Sequence, residues 1–157
     1  MGKYNFLSQF VVDKSSEKSD SQQRHIFYKV SDDDVIKAEQ RMGKKIPAGL
    51  KEFYREIGYG FICKDDNTRT NRIMHPDDIA DFYLGNEQYQ YVDRDVYEEY
   101  EMVFFDLGGE GDFLTMDVGD TSSTENCSIF YFGEKIASDL VEFLKNMDAS
   151  TNYYIKK

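Results

Sequence analysis

Apolar residues recur at helical spacing in the first third of the chain. Val35, Ala38 and Met42 follow one another at intervals of three and four, so they share one face of a predicted helix. Ser31 is placed to cap the start of this helix and Gly43 to end it. These residues predict an amphipathic helix that contributes to the core.

A second helix is predicted directly after the first. Pro47 suits a first turn, where its missing N–H costs no hydrogen bond, and Gly58 supplies a stop. The apolar stripe between them consists of Leu50, Phe53, Tyr54 and Ile57. A shorter helix is predicted to start near Pro76, with Ile79, Phe82 and Tyr83 on its apolar side.

Short runs rich in aromatic and β-branched residues predict strands. They cover residues 26–30, 59–63, 101–107, 112–118 and 127–132, the first as an edge strand. The glycines of "GGEG" permit a tight turn between the third and fourth runs. This part of the chain is therefore predicted to form an antiparallel sheet.

The chain closes with another helical stripe, spread over residues 136–147. Its members are Ile136, Leu140, Phe143, Leu144 and Met147. Helices early, strands in the middle and a helix at the end predict an α+β fold, with helices packed on one side of the sheet. At 157 residues the chain suits a single domain.

The ends of the chain and its polar segments have weaker patterns. Residues 4–12 fit either a short helix or a strand, residues 13–25 are predicted to be a mobile polar loop, and residues 65–71 to form a turn. We expect residues 1–30 to form an N-terminal extension, 31–148 the domain and 149–157 a tail.

The net charge of −11 is confined to the middle of the sequence. Residues 77–120 hold 14 acidic residues and one basic residue, Arg94, whereas the other 113 residues hold 16 acidic and 18 basic residues. A surface of this sign repels phosphate backbones and attracts cationic proteins. Direct binding to nucleic acid is therefore not expected.

Tyrosines alternate with carboxylates in "YQYVDRDVYEEYE", residues 89–101. Tyrosine offers rigid contact area, and carboxylates accept charge-assisted hydrogen bonds from Lys and Arg. In the alternative interpretation the tyrosines pack inward and the acids only face water. The candidate partner-binding residues, including the adjoining glycine turn, are Asp93, Asp95, Glu98, Glu99, Glu101, Glu110 and Asp112.

The sequence carries little sign of catalysis or of a cofactor. His25 and His75 have no metal-ligand partner at a useful spacing, and Cys63 and Cys127 form no CxxC pair. A catalytic pair between His75 and either cysteine stays open, because such residues meet only in the fold. "GGEGD" lacks the Lys-Ser/Thr ending of a phosphate loop, and "DVGDTSSTE" fails the calcium-loop pattern. We expect no enzyme activity, no metal and no cofactor.

No segment has the apolar length of a membrane span, and the N-terminus lacks the features of a secretory signal. The cysteines are expected to be reduced thiols of a cytoplasmic protein.

Three motifs in order resemble the SUKH superfamily, which includes fungal cell-wall-assembly regulators and bacterial immunity proteins. The first comprises Ile36, Ala38, Glu39, Gly43, Ile46, Pro47, Phe53, Gly58 and Gly60. The second runs from Phe104 to Asp117, "FFDLGGEGDFLTMD", and the third is "IASDLVEFL", with Leu140 where the family has Phe. "GYG" replaces the family's Asn-Gly-Gly, and there is no Trp.

This resemblance implies a mixed α/β domain with a twisted, mostly antiparallel sheet. It also implies a non-enzymatic immunity protein that neutralises a secreted toxin domain, often a nuclease, as bacterial members do. The acidic segment would then bind a cationic toxin. The alternative is a regulatory interaction scaffold of the fungal kind, although the chain lacks long extensions.

Overall fold

The structure is a computed structural model that describes residues 4–11, 25–62, 71–86, 89–90, 101–107, 113–118 and 128–150. Within these ranges, no helix combines the length and apolar character needed to cross a bilayer. The predicted loop and turn at 13–24 and 65–70, the glycine turn at 108–112 and the tail from residue 151 lie outside the described residues.

In the described residues, seven strands form one antiparallel sheet whose spatial order follows the sequence order. The strands are β1 (Ile26–Tyr28), β2 (Tyr59–Phe61), β3 (Arg72–Ile73), β4 (Glu101–Asp106), β5 (Phe113–Asp117), β6 (Ile129–Tyr131) and β7 (Glu134–Ala137). The α+β class and the antiparallel sheet are therefore confirmed, and β1 lies at one edge as expected.

The helices of the described residues are a 3₁₀ helix (Asn5–Phe10), α1 (Asp32–Met42), α2 (Ala48–Glu56), α3 (Pro76–Leu84) and α4 (Leu140–Ala149). The predicted capping box of α1 is present, because Ser31 Oγ accepts from the backbone N–H of Asp34 while the Asp34 carboxylate accepts from that of Ser31. Gly43 ends α1 in the left-handed conformation. The stripe predicted for α2 is completely buried.

Glu39 fixes the connection between α1 and α2. Its Oε2 accepts a hydrogen bond of 2.8 Å from the backbone N–H of Ile46 and lies 2.9 Å from Lys51 Nζ. Because Ile46 directly precedes the proline that caps α2, these contacts set where the second helix begins. The Glu39 side chain therefore has a structural role.

Gly58 and Gly60 let β1 and β2 approach closely. Both glycines have positive φ values, 130° and 147°. A Cβ on Gly58 would lie 1.9 Å from the carbonyl oxygen of Tyr28, and one on Gly60 would lie 2.1 Å from that of Ile26. Only glycine fits at these two positions without separating the strands.

The N-terminal segment packs into the core. Tyr4 and Leu7 are buried, and the Tyr4 ring meets Phe53 of α2 edge to face at 4.9 Å between centroids. Val11 forms an isolated parallel bridge with Phe27, at the outer edge of β1. The ambiguous segment from residue 4 is thus a 3₁₀ helix attached to the central core.

Two elements differ from the sequence prediction. Ile136, assigned to the closing helix, lies on strand β7, and α4 begins only at Leu140 after the N-cap Asp139. The interval of four residues between Ile136 and Leu140 matches helical spacing, which explains the wrong assignment. In the structure, a two-residue turn after Tyr131 starts a hairpin whose second strand contains Ile136. Strand β3 was missed because it has only two residues, one of them the charged Arg72.

Candidate partner-binding surface

Of the seven predicted partner-binding carboxylates, the structure describes only Glu101. Asp93, Asp95, Glu98, Glu99, Glu110 and Asp112 lie outside the described residues, as does the rest of the acidic segment from residue 91 to 100. The structure therefore gives only the positions of the strands that these segments connect.

Glu101 lies in the interior, contrary to its expected place on an acidic surface. Glu101 is only 4% exposed, and Thr115 Oγ1 of the neighbouring strand donates a hydrogen bond to its carboxylate. Its backbone carbonyl accepts from the hydroxyl of Tyr83 on α3. These contacts make Glu101 part of the packing between α3 and the sheet rather than a partner-facing group.

Strand β4 separates the two groups of candidate acids along the chain. Its first residue, Glu101, pairs with Asp117, and its last residue, Asp106, pairs with Phe113. The two pairs lie at opposite ends of the strand. Six residues of strand span about 17 Å between these ends. Residues 93–99 precede the first end of β4 in the chain, and residues 110 and 112 follow its second end.

Four described acids of the 77–120 segment are engaged in ion pairs within the protein. On the surface between α1 and α3, Arg41 Nη2 lies 2.5 Å from Asp81 Oδ1, and Arg41 Nη1 lies 3.5 Å from Asp77 Oδ1. The hydrogen bond with Asp81 raises the pKa of Arg41, and burial, which lowers it, does not reverse that direction. This contact joins the two helices.

The ion pairs of Arg72 are more enclosed than those of Arg41. Arg72 of β3 is 13% exposed, and its Nη1 lies 2.6 Å from Asp78 Oδ2 of α3. Its Nη2 lies 3.9 Å from Asp106 Oδ2 of β4 and donates to the hydroxyl of Tyr89. Although burial lowers the pKa of Arg72, the Asp78 contact leaves it above its ordinary value. An arginine is suited to this place because its planar guanidinium can hold several acceptors at once.

These pairs change the interpretation of the local charge. Arg41 and Arg72 stand outside the 77–120 segment in sequence, so a sum over that segment counts its acids without their counterions. The formal excess therefore overstates the charge available to a partner. Most of the remaining formal negative charge of this segment belongs to acids outside the described residues, including the six remaining candidates.

Both histidines contact other groups of the protein. His25 is buried rather than part of a solvated loop, and its Nε2 lies 2.9 Å from Asp148 Oδ1 of α4. His75 caps α3, because its Nδ1 accepts from the backbone N–H of Asp77 at 3.0 Å. Cys63 and Cys127 lie outside the described residues, so the Cys–His alternative is not tested.

Among the described residues, no group of three or more His, Cys, Asp or Glu side chains could hold a metal ion. A groove of about 470 Å³ runs along α2 and is lined by Ala48, Lys51, Glu52, Arg55 and Glu56. Small-molecule sites are mostly apolar with a few convergent polar groups, whereas four of these five side chains are charged. The groove is therefore not built like a typical substrate pocket.

The family model described as "SMI1 / KNR4 family (SUKH-1)" matches residues 29–146, most of the chain. The protein belongs to the SMI1/KNR4 (SUKH-1) family. The predicted resemblance is thereby confirmed. The structure also explains part of the family-like pattern in this SUKH-1 protein, since Glu39 positions the second helix and the two glycines bring β1 and β2 together.

This SUKH-1 protein is also similar to a protein of Bacillus subtilis (strain 168) named "Immunity protein YxxD". The two are 32% identical over 156 residues, which cover 97% of this chain and 95% of the relative. The similarity thus extends through the N-terminal segment that the family model leaves out. No solved structure matches the chain significantly.

Proposed function

We propose that this protein is an immunity protein that binds a toxin protein and neutralises it without catalysis. The similarity to the Bacillus subtilis immunity protein carries this proposal, because it spans nearly the whole of both chains. An immunity protein of this kind would act in the cytoplasm of the producing cell.

A growth assay tests the role directly. The probe is the C-terminal domain of a secreted toxin encoded beside this gene, expressed in cells with and without the protein. We expect the toxin domain alone to stop growth and the co-expressed pair to grow normally. Equal growth arrest in both cultures would contradict the proposal, and binding to several unrelated proteins instead would favour a regulatory scaffold.

We further propose that the partner is cationic, as a nuclease domain would be, and that the acidic segment speeds its approach. Carboxylates on an inhibitor can occupy a groove that evolved to hold phosphates, and opposite charge raises association rates at low salt. The proposed contacts are Asp93, Asp95, Glu98, Glu99, Glu110 and Asp112. Glu101 is left out because it is buried.

Because β4 separates the two groups of acids, they are best tested apart. One variant converts Asp93, Asp95, Glu98 and Glu99 to their amides, and a second converts Glu110 and Asp112 to Lys. Each raises the net charge by four units. The matched control raises it equally at exposed positions elsewhere, with Lys at Gln9, Gln40, Ser138 and Ser150.

We expect at least one acidic variant to associate about tenfold more slowly than the control at low salt, with the difference disappearing near 1 M salt. Association rates measured by stopped flow with an inactive toxin domain give the comparison. Equal rates for all three variants at low salt would remove the steering proposal and leave the immunity role standing.

A further inference from the structure

The hairpin between β6 and β7 has an unusual residue at its tip. Tyr131 pairs with Glu134, so Phe132 and Gly133 form a two-residue turn. Both have positive φ, 47° and 84°, as a type I′ turn requires. Asn-Gly is the sequence that such a turn favours, and a bulky aromatic residue at positive φ is an outlier. The fold alone would be better served by another residue.

The same side chain is exposed. Phe132 is 52% exposed, the largest value among the exposed large hydrophobic residues of the described chain. Its ring meets that of Tyr131 at 63° with 4.9 Å between centroids. The contact steadies the aromatic ring at the tip, so that less rotamer entropy is lost when the ring is buried by a partner.

The register places this tip at a definite end of the sheet. Tyr131 pairs with Leu114 near the start of β5, and the preceding residue Phe113 pairs with Asp106 at the end of β4. The exposed ring therefore lies at the end where β4 finishes, one strand beyond β5. The tip thus lies near the end of β4 and the start of β5.

A second copy of the chain is a poor occupant for this tip. Two half-exposed phenylalanines meeting tip to tip would bury only about 150–250 Å² between them. A stable protein interface buries about 1,200–2,000 Å². Within a larger heterologous interface, by contrast, one exposed aromatic side chain can supply much of the affinity when it fills a pocket.

We propose that Phe132 is an aromatic anchor that inserts into an apolar pocket on the toxin domain. The proposal rests on the immunity role and adds a contact that differs from the acidic surface in its physics. An anchor that is buried only in the final complex slows dissociation, whereas surface charge speeds association. Strain at the tip would then persist because the exposed ring serves binding.

The test uses three variants of the full chain and an inactive variant of the toxin domain encoded beside the gene. Phe132→Asn removes the ring and gives the turn its preferred sequence, and Phe132→Ala removes the ring without that relief. Ile36→Gln is the control, since Ile36 is 50% exposed on a different element, α1. Dissociation rates, melting temperature and sedimentation velocity are measured for each.

We expect both Phe132 variants to dissociate at least about tenfold faster than the wild type. Their association rates should keep the wild-type salt dependence, and Ile36→Gln should bind as the wild type does. The Asn variant should melt at or above the wild-type temperature and above the Ala variant, because Asn tolerates positive φ.

Unchanged dissociation in the Phe132 variants, with a wild-type protein that binds, would overturn the anchor and leave the immunity role intact. A melting temperature of Phe132→Asn several degrees below the wild type would assign the ring to the fold instead. A wild-type dimer that the substitution abolishes would assign it to self-association. Failure of the wild type to bind the toxin domain would overturn both proposals.

Discussion

Glu101 and Thr115 lie on neighbouring strands, and both are buried. A buried carboxylate is costly unless it is hydrogen-bonded, so Thr115 makes the position of Glu101 tolerable. Glu101 was predicted to lie on the surface because it belongs to the segment with an excess of acidic residues. Strand β4 is buried at its first five positions, so its sequence carries no alternation that separates an inward from an outward side chain.

A double-mutant cycle tests this pair. Thr115→Val should lower the free energy of unfolding by about 1–3 kcal/mol, because it leaves the carboxylate without the hydroxyl donor. Glu101→Gln should reduce the additional cost of Thr115→Val, giving a coupling of about 0.5–3 kcal/mol in urea unfolding. Additive losses would show that the two side chains do not depend on each other.

Asp34 gives the protein a defined sensitivity to acid. Burial raises the pKa of its carboxyl, but hydrogen bonds from Ser31 and the nearby His75 outweigh this and leave that pKa lowered. A carboxyl with a lower pKa in the folded state stabilises the protein above its unfolded pKa of about 3.9. This contribution is lost as the pH falls through the folded value.

We therefore expect Asp34→Asn to reduce the loss of melting temperature between about pH 5 and pH 2. Asp33→Asn is the matched control, since Asp33 is the neighbouring helix residue, its side chain is more exposed than that of Asp34, and it forms an ion pair with Lys37. Melting curves followed by circular dichroism across this pH range provide the measurement. An equal acid response in the two variants would contradict the role of the capping box.

At the scale of elements, the helices with strong local signals could be predicted from the sequence, and the short strands could not. The capping box of α1 and the apolar stripe of α2 depend on residues close in sequence, so the sequence alone identified both helices. Strands β3 and β7 are defined by partners on other strands: Ile73 pairs with Phe105, and Ala137 with Ile129. A two-residue or charged strand carries too little pattern of its own to be recognised.

The close approach of β1 and β2 at Gly60 can be tested by substitution. Gly60→Ala should cost more than about 4 kcal/mol or prevent folding, because the new Cβ meets the backbone of β1. Gly43→Ala is its control: Gly43 also has positive φ, but its Cβ would meet nothing within 4 Å. It should lose only about 1–2 kcal/mol from the left-handed backbone. Similar losses in urea unfolding would contradict the close approach of the strands.

At the scale of the whole molecule, the order of helices and strands was enough to predict the α+β class, and the three motifs that resemble the SUKH superfamily predicted the family. The placement of charge was not predictable in this way, because Arg41 and Arg72 reach their acids across 36 to 40 and 6 to 34 residues of sequence. Only the fold shows which carboxylates these cations occupy. The proposed partner surface consequently rests on the six acids outside the described residues and on the aromatic tip at Phe132.

We propose that the protein neutralises a toxin by binding it in a complex of one molecule of each. Titrating the purified protein into the toxin domain and measuring residual toxin activity tests this most directly. A binding protein of high affinity predicts a linear loss of activity that ends at one equivalent and is reversed when the complex is dissociated. Complete inactivation by a small fraction of an equivalent, progressing with time, would instead reveal catalysis, and undiminished activity at excess protein would contradict the immunity role.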